Sequence, residues 1–169
     1  MESENKQKIH VFAMINAVLI PLLIGGFSAF LTSEDMKAYG TMNKPPLAPP
    51  AWLFPIVWTI LYVLVGIASY LVYVAETDRE RKRSALLIYA SQLVMNFFWS
   101  TLFFTYGQYL ISFMWLIAMW VLIIICVVRF YRIRPAAGYL MGVLFLWTSF
   151  AAYLNAAYYL LSITPMPLG

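Results

Sequence analysis

Residues 109–128 read YLISFMWLIAMWVLIIICVV, a stretch without a single charged side chain. About 20 helical residues cross the hydrocarbon core of a bilayer, so this stretch has the length of a membrane span. A span must satisfy its backbone hydrogen bonds internally, either as a helix or within a closed barrel. The stretch lacks the alternation of apolar and polar residues that is typical of barrel strands. It therefore predicts a transmembrane helix.

Four further apolar stretches have a similar length, at residues 9–31, 51–75, 84–104 and 136–161. Of the 169 residues, 63% are hydrophobic and 11% are charged, whereas a soluble domain carries about 25% charged residues. The sequence thus predicts an all-α membrane protein: one domain over residues 1–169, built as a bundle of five transmembrane helices. The first stretch is longer than a secretory signal core and has no clear cleavage site after it, so we expect it to remain in the mature protein.

The basic residues predict the orientation of the bundle. Nine of the eleven Lys and Arg residues lie before the first stretch, between the second and third, or between the fourth and fifth. With five spans, these three segments share one side of the membrane. Only Lys37 and Lys44 lie on the other side. The positive-inside rule then predicts a cytoplasmic N-terminus. Because the basic residues lie at helix ends and form no separate patch, the net charge of +4 does not indicate a nucleic-acid partner.

Ionisable residues are confined to the ends of the spans. All seven acidic residues lie outside the apolar stretches, which argues against an ion pump or a proton-coupled transporter with a carboxylate at the midplane. His10 is the only histidine and Cys126 the only cysteine. An internal disulfide is therefore excluded, and no protein metal site is expected.

The long loop before the second stretch ends in KPPLAPP, residues 44–50, which we call the proline strap. Proline fixes its own φ and biases the residue before it towards extended geometry, so a stiff, extended segment is predicted. Two interpretations remain open. The prolines either mark the start of a helix, where proline is tolerated, or form a rigid lid over a cavity.

Polar and aromatic residues in the spans predict which faces point inward, because lipid cannot satisfy polar groups. At about 100° per residue, five stripes emerge. They are Pro21, Gly25, Ser28 and Thr32, with Ala29 at the edge; Pro55, Trp58, Tyr62 and Ser69; Gln92, Asn96, Trp99 and Phe103; Trp115, Met119, Leu122 and Cys126; and Trp147, Ala151, Leu154, Asn155 and Tyr158. The residues alone allow either helix packing, which they favour, or a pocket for a flat apolar molecule. Gly138 and Gly142 form a GxxxG pair that can bring helices, or two subunits, close together.

Three segments carry a resemblance to a known family. Residues 39–62, YGTMNKPPLAPPAWLFPIVWTILY, contain a K-P-x-x-x-P-P-x-W pattern followed by V-W and L-Y. Residues 92–104, QLVMNFFWSTLFF, match Q-L-x-x-N-x-x-W-x-x-x-F-F, and residues 147–155, WTSFAAYLN, match W-x-x-F-x-x-x-L-N. In these segments the chain resembles the translocator protein / tryptophan-rich sensory protein family (TspO/MBR, peripheral-type benzodiazepine receptor).

The resemblance implies a five-helix bundle, often a homodimer, with one ligand cavity that opens towards the long first loop. Family members bind tetrapyrroles such as protoporphyrin IX and haem, as well as isoquinoline carboxamides and benzodiazepines. The cavity residues that it implies are Gly25, Ala29, Trp52, Phe54, Trp58, Tyr62, Asn96, Trp99, Trp147, Ala151 and Leu154. No Lys or Arg follows Arg134, so the sterol motif that animal members carry near the end of helix five is absent.

The function implied by the resemblance is a receptor or transport protein for porphyrin-type tetrapyrroles in a bacterial inner membrane. No cofactor is required, and protoporphyrin IX is the expected ligand. Without a midplane histidine, metal-free porphyrin is favoured over iron coordination. Two alternatives remain: an enzyme that degrades porphyrin with light and oxygen, and a sensor whose ligand alters a dimer contact. The spans offer no His, Asp or Glu for acid–base catalysis, so no catalytic residue is predicted.

Overall fold

Five long α-helices make up most of the described part of the protein. The computed structural model describes the backbone of residues 2–35 and 44–164, with side chains from Gln7 onward. In this part of the chain, five helices are long and apolar enough to cross a membrane, which confirms the predicted fold class. They are α1 (Glu2–Leu31), α2 (Leu53–Tyr73), α3 (Arg79–Ser100), α4 (Tyr109–Ile133) and α5 (Pro135–Ile163). Lys37 and the middle of the long first loop lie outside the described residues.

Four helices extend beyond their predicted apolar stretches. In α1, α3 and α4 the added residues include charged ones, because charged residues outside the lipid can still be helical. At the start of α3, the Asp78 carboxylate accepts hydrogen bonds from the backbone N–H groups of Glu80 and Arg81, at 3.0 and 3.1 Å. This N-cap satisfies amides that have no partner within the helix. Between α4 and α5, Arg134 is extended, as expected before a proline, and Pro135 begins α5.

Helix α2 begins at Leu53, slightly later than its predicted start at Ala51. The preceding residues form a turn, in which the backbone N–H of Leu53 donates to the carbonyl of Pro50 at 3.0 Å. Pro55 lies within the first turn of α2, where a backbone N–H would have no acceptor in the helix. Pro55 therefore does not interrupt the helix.

A π-helical turn over Thr101–Thr105 follows α3 directly. Its signature is a hydrogen bond between residues five apart, from the N–H of Tyr106 to the carbonyl of Thr101 at 3.1 Å. Gly107, with a φ of 59°, then turns the chain towards α4. A π-helical turn holds more residues than an α-helical turn, so it changes the helical phase of the side chains that it carries.

The helices are arranged around the bundle in the order α1, α2, α5, α4, α3, and α3 also contacts α1. The buried face of α4 is formed by Ser112, Leu116, Met119, Ile123, Cys126 and Phe130. The predicted stripe on this helix was partly wrong, because Trp115 and Leu122 are only half-buried. This stripe held few polar residues, so its phase was poorly determined by the sequence. The stripes predicted for α1, α3 and α5 are inward-facing, apart from the edge residue Ala29 and the half-buried Trp147.

Glycines allow two close helix contacts. A Cβ at Gly66 in α2 would lie 2.7 Å from the carbonyl oxygen of Ala17 in α1. A Cβ at Gly138 in α5 would lie 2.5 Å from the Cβ of Tyr131 in α4. Gly138 thus serves a contact within the chain, whereas a Cβ at Gly142 would meet no atom within 4 Å.

The proline strap is not extended throughout, contrary to the prediction. It contains a turn closed by a hydrogen bond from the Ala48 N–H to the Pro45 carbonyl at 3.1 Å. Leu47 adopts a φ of 66° at the third position of this turn, a conformation that leucine rarely takes. The prolines restrict only their own φ and the residues before them, so they do not prevent the turn at Leu47. Pro45 and Pro49 are buried, which fixes the strap against the bundle.

Candidate functional site

Most of the predicted cavity residues come together at one end of the bundle, beside the proline strap. This end is formed by the C-terminal halves of α1, α3 and α5 and by the N-terminal half of α2. Each helix contributes part of an inward-facing stripe, so the site follows directly from helical phase.

A tyrosine–asparagine pair connects α2 with α3. The hydroxyl of Tyr62 donates to Oδ1 of Asn96 at 2.9 Å, and both side chains are buried. The Tyr62 ring lies in the space that a side chain at Gly25 of α1 would occupy. Three helices therefore meet at this pair, and the absence of a side chain at Gly25 lets the ring lie there.

A second polar connection joins α3, α4 and α5. The indole N–H of Trp99 donates to Oδ1 of Asn155 at 3.1 Å. The amide of Asn155 donates in turn to the backbone carbonyl of Tyr109 at 2.8 Å. Trp99 and Asn155 are buried, so these bonds satisfy polar groups that would otherwise be costly.

Aromatic rings surround these polar groups. The ring centroids of Trp58 and Tyr62 are 5.6 Å apart, and those of Trp58 and Trp99 are 6.3 Å apart. Phe54 meets the Trp147 ring edge-on at 6.3 Å. Rings at such separations interact favourably beyond their apolar contact area. Trp58 is only half-buried, whereas Tyr62 and Trp99 are each fixed by a hydrogen bond.

Two small cavities lie among the rings. One, of about 50 Å³, is bounded by α1, α2 and α3, and the other, of about 10 Å³, by α2, α3 and α5. Phe54 lines both cavities, and no charged side chain is among their described lining residues. Pockets for drug-sized ligands measure about 300–1,000 Å³. The protein's own rings therefore fill most of the site, and a large ligand would have to displace some of them.

The predicted cavity residues fall into four groups, according to their position relative to the two cavities. Five line the first cavity, namely Gly25, Ala29, Phe54, Trp58 and Tyr62. Three line the second, namely Trp99, Ala151 and Leu154. Asn96 reaches the first cavity through its bond to Tyr62, and Trp147 reaches both through its contact with Phe54. Trp52 is the exception, since it is 64% exposed and lines neither cavity. It immediately precedes α2 with a helical backbone conformation, and at about 100° per residue its side chain lies about 120° around the helix axis from that of Trp58.

Several lining residues were missing from the predicted set. Ser28, Thr32, Phe103, Asn155 and Tyr158 lie on the predicted inward stripes, so helical phase was sufficient to find them. Phe104 could not be found this way. It follows Phe103 directly, yet both rings face the site, with centroids 4.9 Å apart. The π-helical turn that carries both rings makes this possible.

Two buried polar side chains near the site lack a hydrogen-bond partner among the described residues. They are the indole N–H of Trp147 and the side-chain amide of Gln92. A buried donor without an acceptor costs about 1–3 kcal/mol. Gln92 lies one turn from Asn96 on the inward face of α3. The site thus contains unused hydrogen-bonding capacity.

The proline strap is held against this end of the bundle. The hydroxyl of Tyr153 in α5 donates to the carbonyl of Pro46 at 3.1 Å. Nearby, the hydroxyl of Thr105 in the π-helical turn donates to the carboxylate of Asp35 at 2.7 Å, which fixes the start of the same loop. Both bonds are exposed and can be broken without leaving a buried polar group unsatisfied.

Comparison with known proteins gives a consistent result. Residues 17–160 match the model of the TspO/MBR family. The chain is 33% identical to the tryptophan-rich protein TspO of Chlorobaculum tepidum, over 89% of this chain and 94% of the relative. It is 32% identical to the tryptophan-rich protein TspO of Archaeoglobus fulgidus, over 91% and 99%. It is 31% identical to the translocator protein of Ovis aries, over 78% and 79%. This integral membrane protein therefore belongs to the TspO/MBR family.

Proposed function

We propose that this protein is a membrane receptor or transport protein that binds a porphyrin-type tetrapyrrole, such as protoporphyrin IX, in the aromatic site beside the proline strap. The observation that carries the proposal is the cluster formed by Trp58, Tyr62 and Trp99 at the two small cavities. Family membership supports the membrane receptor or transport role. The name of the Ovis aries relative, translocator protein, agrees with it.

The chemistry of the site suits a flat, largely apolar ligand. Indole and phenol rings provide stacking surfaces, while the buried polar groups give a few fixed points of recognition. A tetrapyrrole would displace the ring of Phe54 and stack on the half-buried ring of Trp58, and the hydrogen-bonded Tyr62 and Trp99 would remain as walls. Its carboxylates would lie towards the strap, where Lys44 is exposed.

The N–H of Trp147, which has no partner in the described part of the chain, is a candidate donor to the ligand. Replacing Trp147 with Phe keeps an aromatic ring but removes this donor. We expect protoporphyrin IX to bind several-fold more weakly, because a hydrogen bond contributes about 0.5–1.5 kcal/mol. The thermal stability of the ligand-free protein should not fall by a comparable free energy, since the lost N–H has no hydrogen-bond partner among the described residues. Unchanged affinity would show that Trp147 contributes only ring contacts.

The proposal as a whole is tested by titrating the protein in nanodiscs with protoporphyrin IX and following the absorption of the porphyrin. We expect saturation at one porphyrin per chain. Empty nanodiscs are the control, because porphyrins also partition into lipid. A titration curve that matches empty nanodiscs at every concentration would contradict porphyrin binding.

A light- and oxygen-dependent breakdown of the bound porphyrin is a second candidate function. The observation that favours it is a pair of indoles, Trp58 at the first cavity and Trp99 at the second, whose ring centroids are 6.3 Å apart. Illumination of the complex in air should then convert the porphyrin to a discrete product, which free porphyrin in empty nanodiscs does not yield. If the porphyrin is recovered intact, this candidate fails while the binding proposal stands.

A further inference from the structure

A large groove lies at the opposite end of the bundle from the aromatic site. Its volume is about 720 Å³. The N-terminal half of α1 and the start of α3 form its walls, and the last turns of α2 form its floor. Apolar side chains from α1 and α3 line most of its length, including Ile9, Phe12, Ala13, Ile20 and Leu86.

The groove has the length of one membrane leaflet. It extends along α1 from Lys8 to Ile20, which corresponds to about 18 Å at 1.5 Å per residue. One leaflet contributes about 15 Å of hydrocarbon, half of the bilayer core. Towards its inner end, α1 closes onto α2 where Ala17 contacts Gly66. The groove therefore matches an extended hydrocarbon chain that enters from one membrane surface.

Positive charge is concentrated at the outer end of the groove. Lys8 lines the groove, and Nζ of Lys82 donates to the backbone carbonyl of Tyr73, another lining residue, at 3.3 Å. Two ammonium groups from α1 and α3 thus flank the end at which a lipid headgroup would lie. No acidic side chain is among the described residues that line the groove.

We propose that this groove binds a phospholipid with an anionic headgroup. One acyl chain would lie along Phe12, Ala13 and Ile20, and the phosphate would lie between Lys8 and Lys82. Basic pockets between transmembrane helices bind anionic headgroups through such charge complementarity. The combination of an apolar groove as deep as a leaflet with cations at one end favours a lipid over a second copy of the chain, which would not need the cations.

The test compares the retention of two lipids by native mass spectrometry of the purified full-length protein. The probes are phosphatidylglycerol and phosphatidylcholine with identical dioleoyl chains, offered at equal concentration. We expect the anionic lipid to be retained at least tenfold better. Lys8→Gln and Lys82→Gln should each reduce this preference about fivefold, since one cation near a membrane surface contributes about 1 kcal/mol. Lys44→Gln, at the other end of the bundle, is the matched control and should leave the preference unchanged.

A second pair of variants tests the groove itself. Ala13→Phe should fill the groove and reduce retention of both lipids, whereas Ala118→Phe, on the exposed face of α4, should not. The proposal is overturned if both lipids are retained equally. It is also overturned if a variant that combines Lys8→Gln with Lys82→Gln keeps its preference for phosphatidylglycerol. It is also overturned if Ala13→Phe abolishes a dimer without changing lipid retention, because the groove would then be an interface between copies. Lys8 is exposed and Lys82 is half-buried with an exposed hydrogen bond, so the lysine variants remain informative if Ala13→Phe fails to fold.

Discussion

Gly25 determines where the ring of Tyr62 can lie. Any side chain at this position would occupy the space of the ring, and Tyr62 would lose its position against α1. We expect Gly25→Ala to displace the ring, to weaken its hydrogen bond to Asn96, and to lower the melting temperature. Overpacking of this kind costs about 1–3 kcal/mol.

The adjacent Gly26 is a matched control, because a Cβ there would meet no atom within 4 Å. Gly26→Ala should therefore leave the melting temperature unchanged or raise it slightly, since alanine favours a helix more than glycine does. Thermal unfolding in detergent, followed by circular dichroism, measures both variants. Equal melting temperatures for the two would contradict the close contact between Gly25 and Tyr62.

At the level of single residues, helical phase predicted most of the inward-facing side chains of α1, α3 and α5. Asn96 and Trp99 lie one turn apart on the buried face of α3, as expected from their spacing. Phase missed Phe104, which a π-helical turn brings inward. Trp52 was expected only from the family resemblance, and the structure leaves it exposed. Hydrogen-bond partners, such as the Tyr109 carbonyl that accepts from Asn155, were not predictable, because they depend on how α4 and α5 pack.

The proline strap acts as an element whose attachment to the bundle can be tested. If it covers the ligand site, then removing its hydrogen bond to Tyr153 should ease ligand release. We expect Tyr153→Phe to increase koff for protoporphyrin IX about twofold to tenfold, since one hydrogen bond contributes about 0.5–1.5 kcal/mol. The association rate should change less. Stopped-flow displacement of the bound porphyrin measures koff.

Tyr139→Phe is the control for this variant. Tyr139 is an exposed tyrosine near the start of the same helix, at the end of the bundle opposite the strap. An equal change in koff for both variants would show that the effect does not come from the strap. An unchanged koff for Tyr153→Phe would mean that the strap merely precedes α2.

The elements differ in how far the sequence predicted them. The five helices followed from their length and hydrophobicity, because lipid leaves the backbone few alternatives. Their ends were less predictable, since caps such as Asp78 depend on local hydrogen bonds. The strap was wrongly predicted to be extended, because its turn depends on Leu47, which adopts an unfavourable backbone conformation.

For the whole molecule, the distribution of charge predicts the orientation. With five spans, the N-terminus and the start of α3 lie at one end of the bundle, and the strap lies at the other. We expect the first end to be cytoplasmic, because it carries nine of the eleven basic residues. The measurement is cysteine labelling in intact cells with a membrane-impermeant maleimide, in a Cys126→Ser background.

Two positions report on the two sides. Glu80→Cys, at the start of α3, should be protected from the reagent in intact cells and should react after permeabilisation. Leu47→Cys, on the exposed turn of the strap, should react without permeabilisation. The reverse pattern would invert the orientation and would move the candidate ligand site to the cytoplasmic side.

The central claim, that the aromatic cluster is the tetrapyrrole site, is tested most directly by comparing Trp58→Ala with Trp120→Ala. Trp58 lines the first cavity, whereas Trp120 donates a hydrogen bond to Ser149 and packs against Phe145, away from both cavities. Both variants lose one indole, and the Soret absorption of protoporphyrin IX reports binding without relying on tryptophan fluorescence. We predict that Kd rises about tenfold or more for Trp58→Ala, equivalent to about 1.4 kcal/mol, and changes little for Trp120→Ala. Equal weakening by the two variants would contradict the assigned site.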